Sequence, residues 1–175
     1  MATIKFHPIT LDHIPDPHLR GIGLVALAWS YMEGALERVI WRLSRLNDMR
    51  GRAFTTHMSL PARLDTLLAL ANHEFPKEKQ TDRLKGIKEH ILKTLSPKRN
   101  EIVHSRVIKF DEIEVAFRTH YKARGKIVTS VQQIDSHEYD STAREILTTA
   151  NELRGLLAVL RSYSEERRRT PSIAA

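Results

Sequence analysis

Apolar residues recur at three- and four-residue steps along much of the chain, a pattern typical of amphipathic α-helices. The pattern is longest from about residue 19 to residue 46, and there it has two faces. The first face consists of Val25, Trp29, Met32, Leu36, Val39, Leu43 and Leu46. The second face consists of Leu24, Leu27, Ala28, Tyr31 and Ala35. A helix that is apolar on two faces must be covered on both, either within its own chain or by a partner chain.

Further helices follow from the same periodicity. Ser59, Leu60 and Pro61 predict the start of a second helix, because proline suits the first helical turn. A third helix runs from about residue 78 and contains Pro97, so we expect it either to kink there or to restart with Ser96 as its N-cap. The last helix begins at about residue 141.

Between residues 107 and 134 the period changes, because apolar and polar residues alternate on both sides of a turn at 122–125. This alternation predicts an inserted β-hairpin before the last helix. Residues 1–18 contain three prolines and no periodicity, which predicts an irregular arm, and residues 166–175 read as a basic flexible tail. We therefore expect a mainly α fold, a helical bundle of about four to five helices over residues 19–165.

Composition narrows the classes of function. The net charge of +7 gives a basic surface that suits nucleic acids. The chain has no cysteine, which excludes disulfides and thiolate sites and fits a cytoplasmic protein. We find no apolar run of membrane-spanning length, no secretory signal, no metal motif and no phosphate-binding glycine loop. We expect no membrane association, no metal and no cofactor.

Chemically useful side chains concentrate between residues 99 and 104. Arg99 lies four residues after Leu95 and three before Ile102, so it continues the apolar stripe of the third helix. A charge in that position must be paired or must border a cavity or interface. Asn100 and His104 share a neighbouring face, and His104 lies about 140° around the helix from Arg99, a span that a long arginine can bridge.

These residue types suit metal-independent cleavage of RNA. A guanidinium matches phosphate in shape and charge, and an imidazole, with an unperturbed pKa of about 6.5, exchanges protons near neutral pH. The imidazole of His104 would activate the 2′-OH, and Arg99 would stabilise the charge that develops on the phosphate. Lys98, Arg106 and Lys109 flank the segment and could follow an RNA backbone. The alternatives are a structural arginine, a satisfied histidine and an ordinary basic surface.

The segment Arg-Asn-Glu-Ile-Val-His at 99–104 resembles the Arg-x4–6-His signature of HEPN domains. Trp-Ser-Tyr-Met-Glu at 29–33 resembles the Trp-x-x-x-Glu of the first helix in many bacterial members, and the order of helices agrees over residues 19–163. The resemblance implies a helical bundle that forms a homodimer with one composite site. It places Arg99 and His104 in the catalytic positions, Asn100 beside the arginine and Glu33 as a supporting residue.

Many HEPN proteins are ribonucleases that need no metal and act in toxin–antitoxin, phage-defence or CRISPR systems. The resemblance therefore implies RNA as substrate and an antitoxin or regulatory protein as a candidate partner. Other members bind nucleic acid or a partner protein without catalysis, and a structural module in a larger complex is a third interpretation. Some HEPN toxins carry a tyrosine two residues after the histidine. Here Arg106 occupies that place, so this chain has no tyrosine at that position to be modified.

Overall fold

The computed structural model describes residues 14–74, 79–104, 106–109, 116–123, 127–133 and 135–169, with the side chains of residues 79, 106–131 and 160–169 outside that description. The helices are α1 (Asp16–Leu43), α2 (Asp48–Thr55), α3 (Leu60–Glu74), α4 (Lys79–His90), α5 (Ser96–His104) and α6 (Ser136–Arg169). A π-helical turn, Ile91–Leu95, joins α4 to α5. The strands are β1 (Arg106–Lys109), β2 (Ala116–Ala123) and β3 (Ile127–Gln133).

The mainly α fold class is confirmed. The predicted hairpin corresponds to β2 and β3, which pair antiparallel with Phe117 opposite Gln133 and Ala123 opposite Ile127. An additional strand, β1, pairs with the other edge of β2 and makes an antiparallel sheet in the order β1-β2-β3. The sequence did not predict β1 because its four residues are too few to show an alternation.

The core is built around α1, which contacts α2, α3, α5 and α6, most extensively α6. Its face at Val25, Met32, Leu36 and Val39 is fully buried, as the periodicity predicts. Where α6 crosses the start of α1, the ring of Tyr139 lies on Gly21. A Cβ atom at Gly21 would come within 2.4 Å of Tyr139 Cδ2, so the close approach of the two helices requires glycine there.

The second apolar face of α1 is partly buried and partly exposed. Ala28 and Ala35 are buried within the chain, whereas Leu24, Leu27 and Tyr31 are exposed by 37%, 52% and 57%. The small residues at the edge of this face are therefore covered by the chain's own helices, and the large residues are not covered by any described part of it.

Helix α2 was not predicted. Asn47 Oδ1 caps its start by accepting a hydrogen bond from Arg50 N at 3.0 Å. Its inner side is glycine and threonine rather than an apolar stripe. The Trp41 ring lies on Gly51, and Trp41 Nε1 donates to Thr55 Oγ1 at 3.1 Å. These contacts come from α1, so they leave no periodic signal within α2 itself.

At Pro97 the chain does not restart at an N-cap, so the prediction that Ser96 caps a new helix is wrong. Ser96 has helical dihedral angles, φ −63° and ψ −45°, and its N–H donates to the carbonyl of Ile91, five residues back. A π-turn is wider than an α-turn. It therefore takes up the proline, whose ring would otherwise clash with the carbonyl four residues earlier.

Three predicted boundaries also differ. Helix α6 begins at Ser136, five residues before the predicted start at about residue 141. Helix α1 begins at Asp16 with Pro17 in its first turn, so the helix includes the last three residues of the predicted arm. Helix α6 extends to Arg169, four residues into the predicted tail, which starts at residue 166. Residues 1–13 and 170–175 lie outside the described residues. Within the described ranges, no helix is long and apolar enough to cross a membrane.

Candidate functional site

Helix α5 holds the predicted site on its surface beside α1. Leu95 and Ile102, before and after Arg99, are buried in the core, as the stripe predicts. Arg99 itself is half-buried, while Asn100 and His104 are exposed. The backbone of Arg99 therefore lies at the margin of the core, and its side chain extends along the margin toward solvent-exposed groups.

The guanidinium of Arg99 brings the three predicted residues together. Its Nη1 donates to Asn100 Oδ1 at 3.0 Å and lies 3.1 Å from His104 Nε2. A guanidinium only donates hydrogen bonds, so in this hydrogen bond Nε2 is the acceptor. The site thus places a permanent cation in direct contact with a ring nitrogen of His104.

Trp29 of α1 supports this arrangement from the core side. The guanidinium carbon of Arg99 lies 5.7 Å from the centroid of the Trp29 ring, and the indole is buried. A cation over an aromatic face is stabilised by about 0.5–2 kcal/mol, depending on how far it is desolvated. Sequence periodicity places Trp29 on the buried face of α1 but cannot show that α5 brings Arg99 over it.

No carboxylate neutralises Arg99 within the part of the chain that the structure describes. Its Nε atom is buried and has no hydrogen-bond partner there. Within the described residues, the contacts of the guanidinium are therefore the Trp29 ring, Asn100 Oδ1 and His104 Nε2. Such an arginine has capacity for an anion, and a phosphate is the anion that its planar donor geometry matches best.

Lys98 points away from this cluster. Its Nζ donates to Glu145 Oε2 of α6 at 2.8 Å, and Glu145 Oε1 lies 3.4 Å from His90 Nε2. The Lys98 side chain is 46% exposed, and an exposed ion pair of this kind contributes about 1 kcal/mol or less. To contact RNA, Lys98 would therefore have to break only its weak ion pair with Glu145.

Glu33 lies in a different contact from the one its predicted supporting role implies. Its Oε1 is 3.8 Å from Nη1 of Arg63 in α3, and Glu37 Oε1 is 3.1 Å from the same nitrogen. The Arg63 side chain is 13% exposed, so the two carboxylates join α1 to α3 around a largely buried cation. The structure does not bring Glu33 to Arg99.

Arg106 and Lys109 lie in β1, which begins two residues after the end of α5. They follow His104 by two and five residues in the sequence, and the structure describes their backbone but not their side chains. Among the described residues, no three histidine or acidic side chains are placed to hold a metal ion.

Comparison with known proteins adds no relative, since no family model, curated protein or solved structure matches the chain.

Proposed function

We propose that the protein is a metal-independent endoribonuclease of the HEPN type that uses Arg99, Asn100 and His104. The observation that carries the proposal is the Arg99 guanidinium, which contacts both His104 Nε2 and Asn100 Oδ1 and has no carboxylate partner in the described chain. An arginine with a purely structural role at a helix seam would be expected to bury its charge against a carboxylate of its own chain.

Binding of RNA would rearrange the contact between Arg99 and His104. A phosphate oxygen is a stronger acceptor for a guanidinium than a neutral imidazole, because the hydrogen bond then joins opposite charges. The incoming phosphate would draw Nη1 away from His104 and expose the Nε2 lone pair. Asn100 would keep the guanidinium oriented through its own hydrogen bond.

The exposed lone pair then acts as a general base. Nε2 removes the proton of the 2′-OH, O2′ forms a bond to phosphorus, and the bond from phosphorus to O5′ breaks. Arg99 stabilises the negative charge that builds up on the non-bridging oxygens. The products are a 2′,3′-cyclic phosphate and a 5′-OH, and no water or metal enters the first step.

Cleavage moves two protons, one from O2′ and one to O5′, whereas the described cluster contains one imidazole. The HEPN resemblance supplies the second group, because it implies a homodimer in which two copies of the motif face each other. The proposal therefore includes a composite site in which a second His104 protonates O5′. It also places the enzyme in the cytoplasm, in a toxin–antitoxin or phage-defence setting where an antitoxin or regulatory protein restrains it.

The test is RNA cleavage in EDTA by purified wild type, Arg99→Ala and His104→Ala. A suitable control is His73→Ala, because His73 is 85% exposed and lies on α3 outside the cluster. We expect wild type and His73→Ala to cut single-stranded RNA and leave the matching DNA intact, and the other two to cut neither. No cleavage by wild type, or equal cleavage by all four proteins, would contradict the proposal.

Co-expression of Arg99→Ala and His104→Ala chains tests the composite site. If the site is composite, a mixed dimer retains one arginine and one histidine and recovers part of the activity. If each chain acts alone, every site in the mixture lacks one of the two groups and the mixture is inactive.

A second candidate is a HEPN-like dimer that binds nucleic acid or a partner protein without catalysis. The uncompensated Arg99 charge fits this function as well, since phosphate binding needs the cation and does not need the base. In that case His104→Ala would bind RNA as wild type does, Arg99→Ala would bind it more weakly, and no protein would cleave it.

A further inference from the structure

One side of α1 carries an exposed apolar line that the described chain does not cover. Leu24, Leu27 and Tyr31 follow one another at steps of three and four residues, so they lie along one line of the helix. We call the surface formed by Asp16, Gly23, Leu24, Leu27, Tyr31, Gly34 and Arg38 the α1 outer face. Scattered exposed leucines are ordinary, but an aligned set on a long helix is typical of a helix–helix contact.

The two glycines make gaps in this surface. No heavy atom lies within 4 Å of a Cβ built at Gly23, and at Gly34 the nearest is Arg38 Nη2 at 3.9 Å. Small residues let another helix approach closely, and a large side chain from that helix can fill the space above them. The α1 outer face therefore offers both projections, at Leu27 and Tyr31, and recesses, at Gly23 and Gly34.

We propose that the α1 outer face packs antiparallel against the same face of a second copy of this chain, with Leu27 near the two-fold axis. In this register Tyr31 of each copy lies opposite Gly23 of the other, so that a projection meets a recess. Arg38 of each copy lies opposite Asp16 of the other. The occupant is thus a second copy, because the surface is complementary to itself.

Charge selects the antiparallel direction. Asp16 and Arg38 lie at opposite ends of the face, both are exposed, and neither has an ion-pair partner in the described chain. Arg20 is also exposed on this face; antiparallel packing places it opposite Gly34 of the other copy, whereas parallel packing would place it against the other Arg20. Parallel packing would place Asp16 against Asp16 and Arg38 against Arg38, whereas antiparallel packing places opposite charges together at both ends. The rise along the helix from Asp16 to Arg38 is about 33 Å, which is long enough for a continuous helical seam.

This contact is separate from the site on α5 and does not rest on the proposed function. Trp29, whose ring lies below the Arg99 guanidinium, is about 160° around α1 from Leu27, at about 100° per residue. The seam therefore neither covers Arg99 nor brings two copies of it together. If the α5 surfaces also associate, as a composite site requires, and the two two-fold axes cross at right angles, the two contacts together close a tetramer.

The test is the mass of the full-length protein by sedimentation equilibrium over a wide range of concentration. Leu27→Glu places a charge in the centre of the seam, and Met49→Glu is a matched control on α2, where Met49 is 81% exposed. We expect Leu27→Glu to halve the mass of the assembly and Met49→Glu to leave it unchanged. A monomeric wild type, or an unchanged mass for Leu27→Glu, would overturn the proposal and assign the face to another occupant.

Charge exchange tests the register. Asp16→Arg and Arg38→Asp should each weaken self-association about tenfold, because each places like charges together at two symmetric positions. The double variant restores opposite charges and should recover most of the wild-type association constant. If the double variant is weaker than either single one, the antiparallel register is wrong. Far-ultraviolet circular dichroism would verify that α1 still forms in each variant.

Discussion

The contact between Trp29 and Arg99 gives the sharpest prediction about the site, because it can be altered without touching the reacting groups. Trp29→Phe keeps an aromatic face below the guanidinium, and Trp29→Leu removes it. Both changes leave unfilled space in the same part of the core. The difference between the two variants therefore isolates the effect of the aromatic face on Arg99.

The expected magnitudes follow from the burial of the indole and its distance from Arg99. Replacing a buried tryptophan by alanine costs about 3–5 kcal/mol, and phenylalanine and leucine fill part of the space, so each variant should lose about 1–3 kcal/mol of stability. The cation–π contact at 5.7 Å contributes about 0.5–2 kcal/mol. If that energy holds the guanidinium in place, Trp29→Leu should be about 2- to 30-fold less active than Trp29→Phe.

Two measurements on stably folded protein test this prediction. The first is kcat/KM on single-stranded RNA at a temperature well below the unfolding transition of both variants. The second is the NMR signal of the Arg99 Nε–H group, which lies near the indole and should be shifted by its ring current. The signal should move strongly in Trp29→Leu and less in Trp29→Phe.

Equal activity of the two variants, with the Arg99 signal unmoved in both, would refute the idea that the aromatic face positions the arginine. Equal activity with a moved signal would show that the aromatic ring lies beside Arg99 but that its removal has no consequence for the reaction. Val39→Ala serves as a control for core damage alone, because Val39 is buried in the same helix and lies about 15 Å along it from Trp29.

Three further predictions concern stability and RNA affinity. Gly21→Ala should lower the free energy of unfolding, measured by urea denaturation, by about 1–3 kcal/mol, because the added Cβ would lie 2.4 Å from the Tyr139 ring. The control is Gly86→Ala, which should not lower the free energy of unfolding, because no heavy atom lies within 4 Å of a Cβ built there. Thr55→Val should cost about 1–3 kcal/mol, since Trp41 Nε1 would lose its buried acceptor, and the exposed Thr56→Val should cost much less. Glu145→Ala should release Lys98 and tighten RNA binding, steepening the salt dependence by about one counterion; an unchanged slope would show that Lys98 does not reach the phosphate backbone.

Sequence periodicity predicted the features that depend on local spacing. The buried face of α1 and the burial of Leu95 and Ile102 on either side of Arg99 follow from the helical repeat alone. The meeting of Arg99, Asn100 and His104 also follows, because all three belong to one helix and their separation is fixed by its geometry.

Features that depend on distant segments could not be predicted in the same way. Helix α2 owes its position to Trp41, and the Arg99–Trp29 contact depends on how α5 crosses α1. The contact of Glu33 with Arg63 depends on the placement of α3, so a motif match alone could not predict which basic residue Glu33 meets within the chain. The π-turn before Pro97 is a third case, since proline predicts a disturbance but not how the backbone absorbs it.

The most direct test of the central claim compares an RNA oligonucleotide with the same sequence carrying 2′-O-methyl groups, in EDTA, using wild type and His104→Ala. Attack by the 2′-OH with His104 as base predicts that wild type cuts only the unmodified RNA and leaves 2′,3′-cyclic phosphate and 5′-OH ends, and that His104→Ala cuts neither. Cleavage of the methylated strand, 5′-phosphate ends, or full activity in His104→Ala would contradict it.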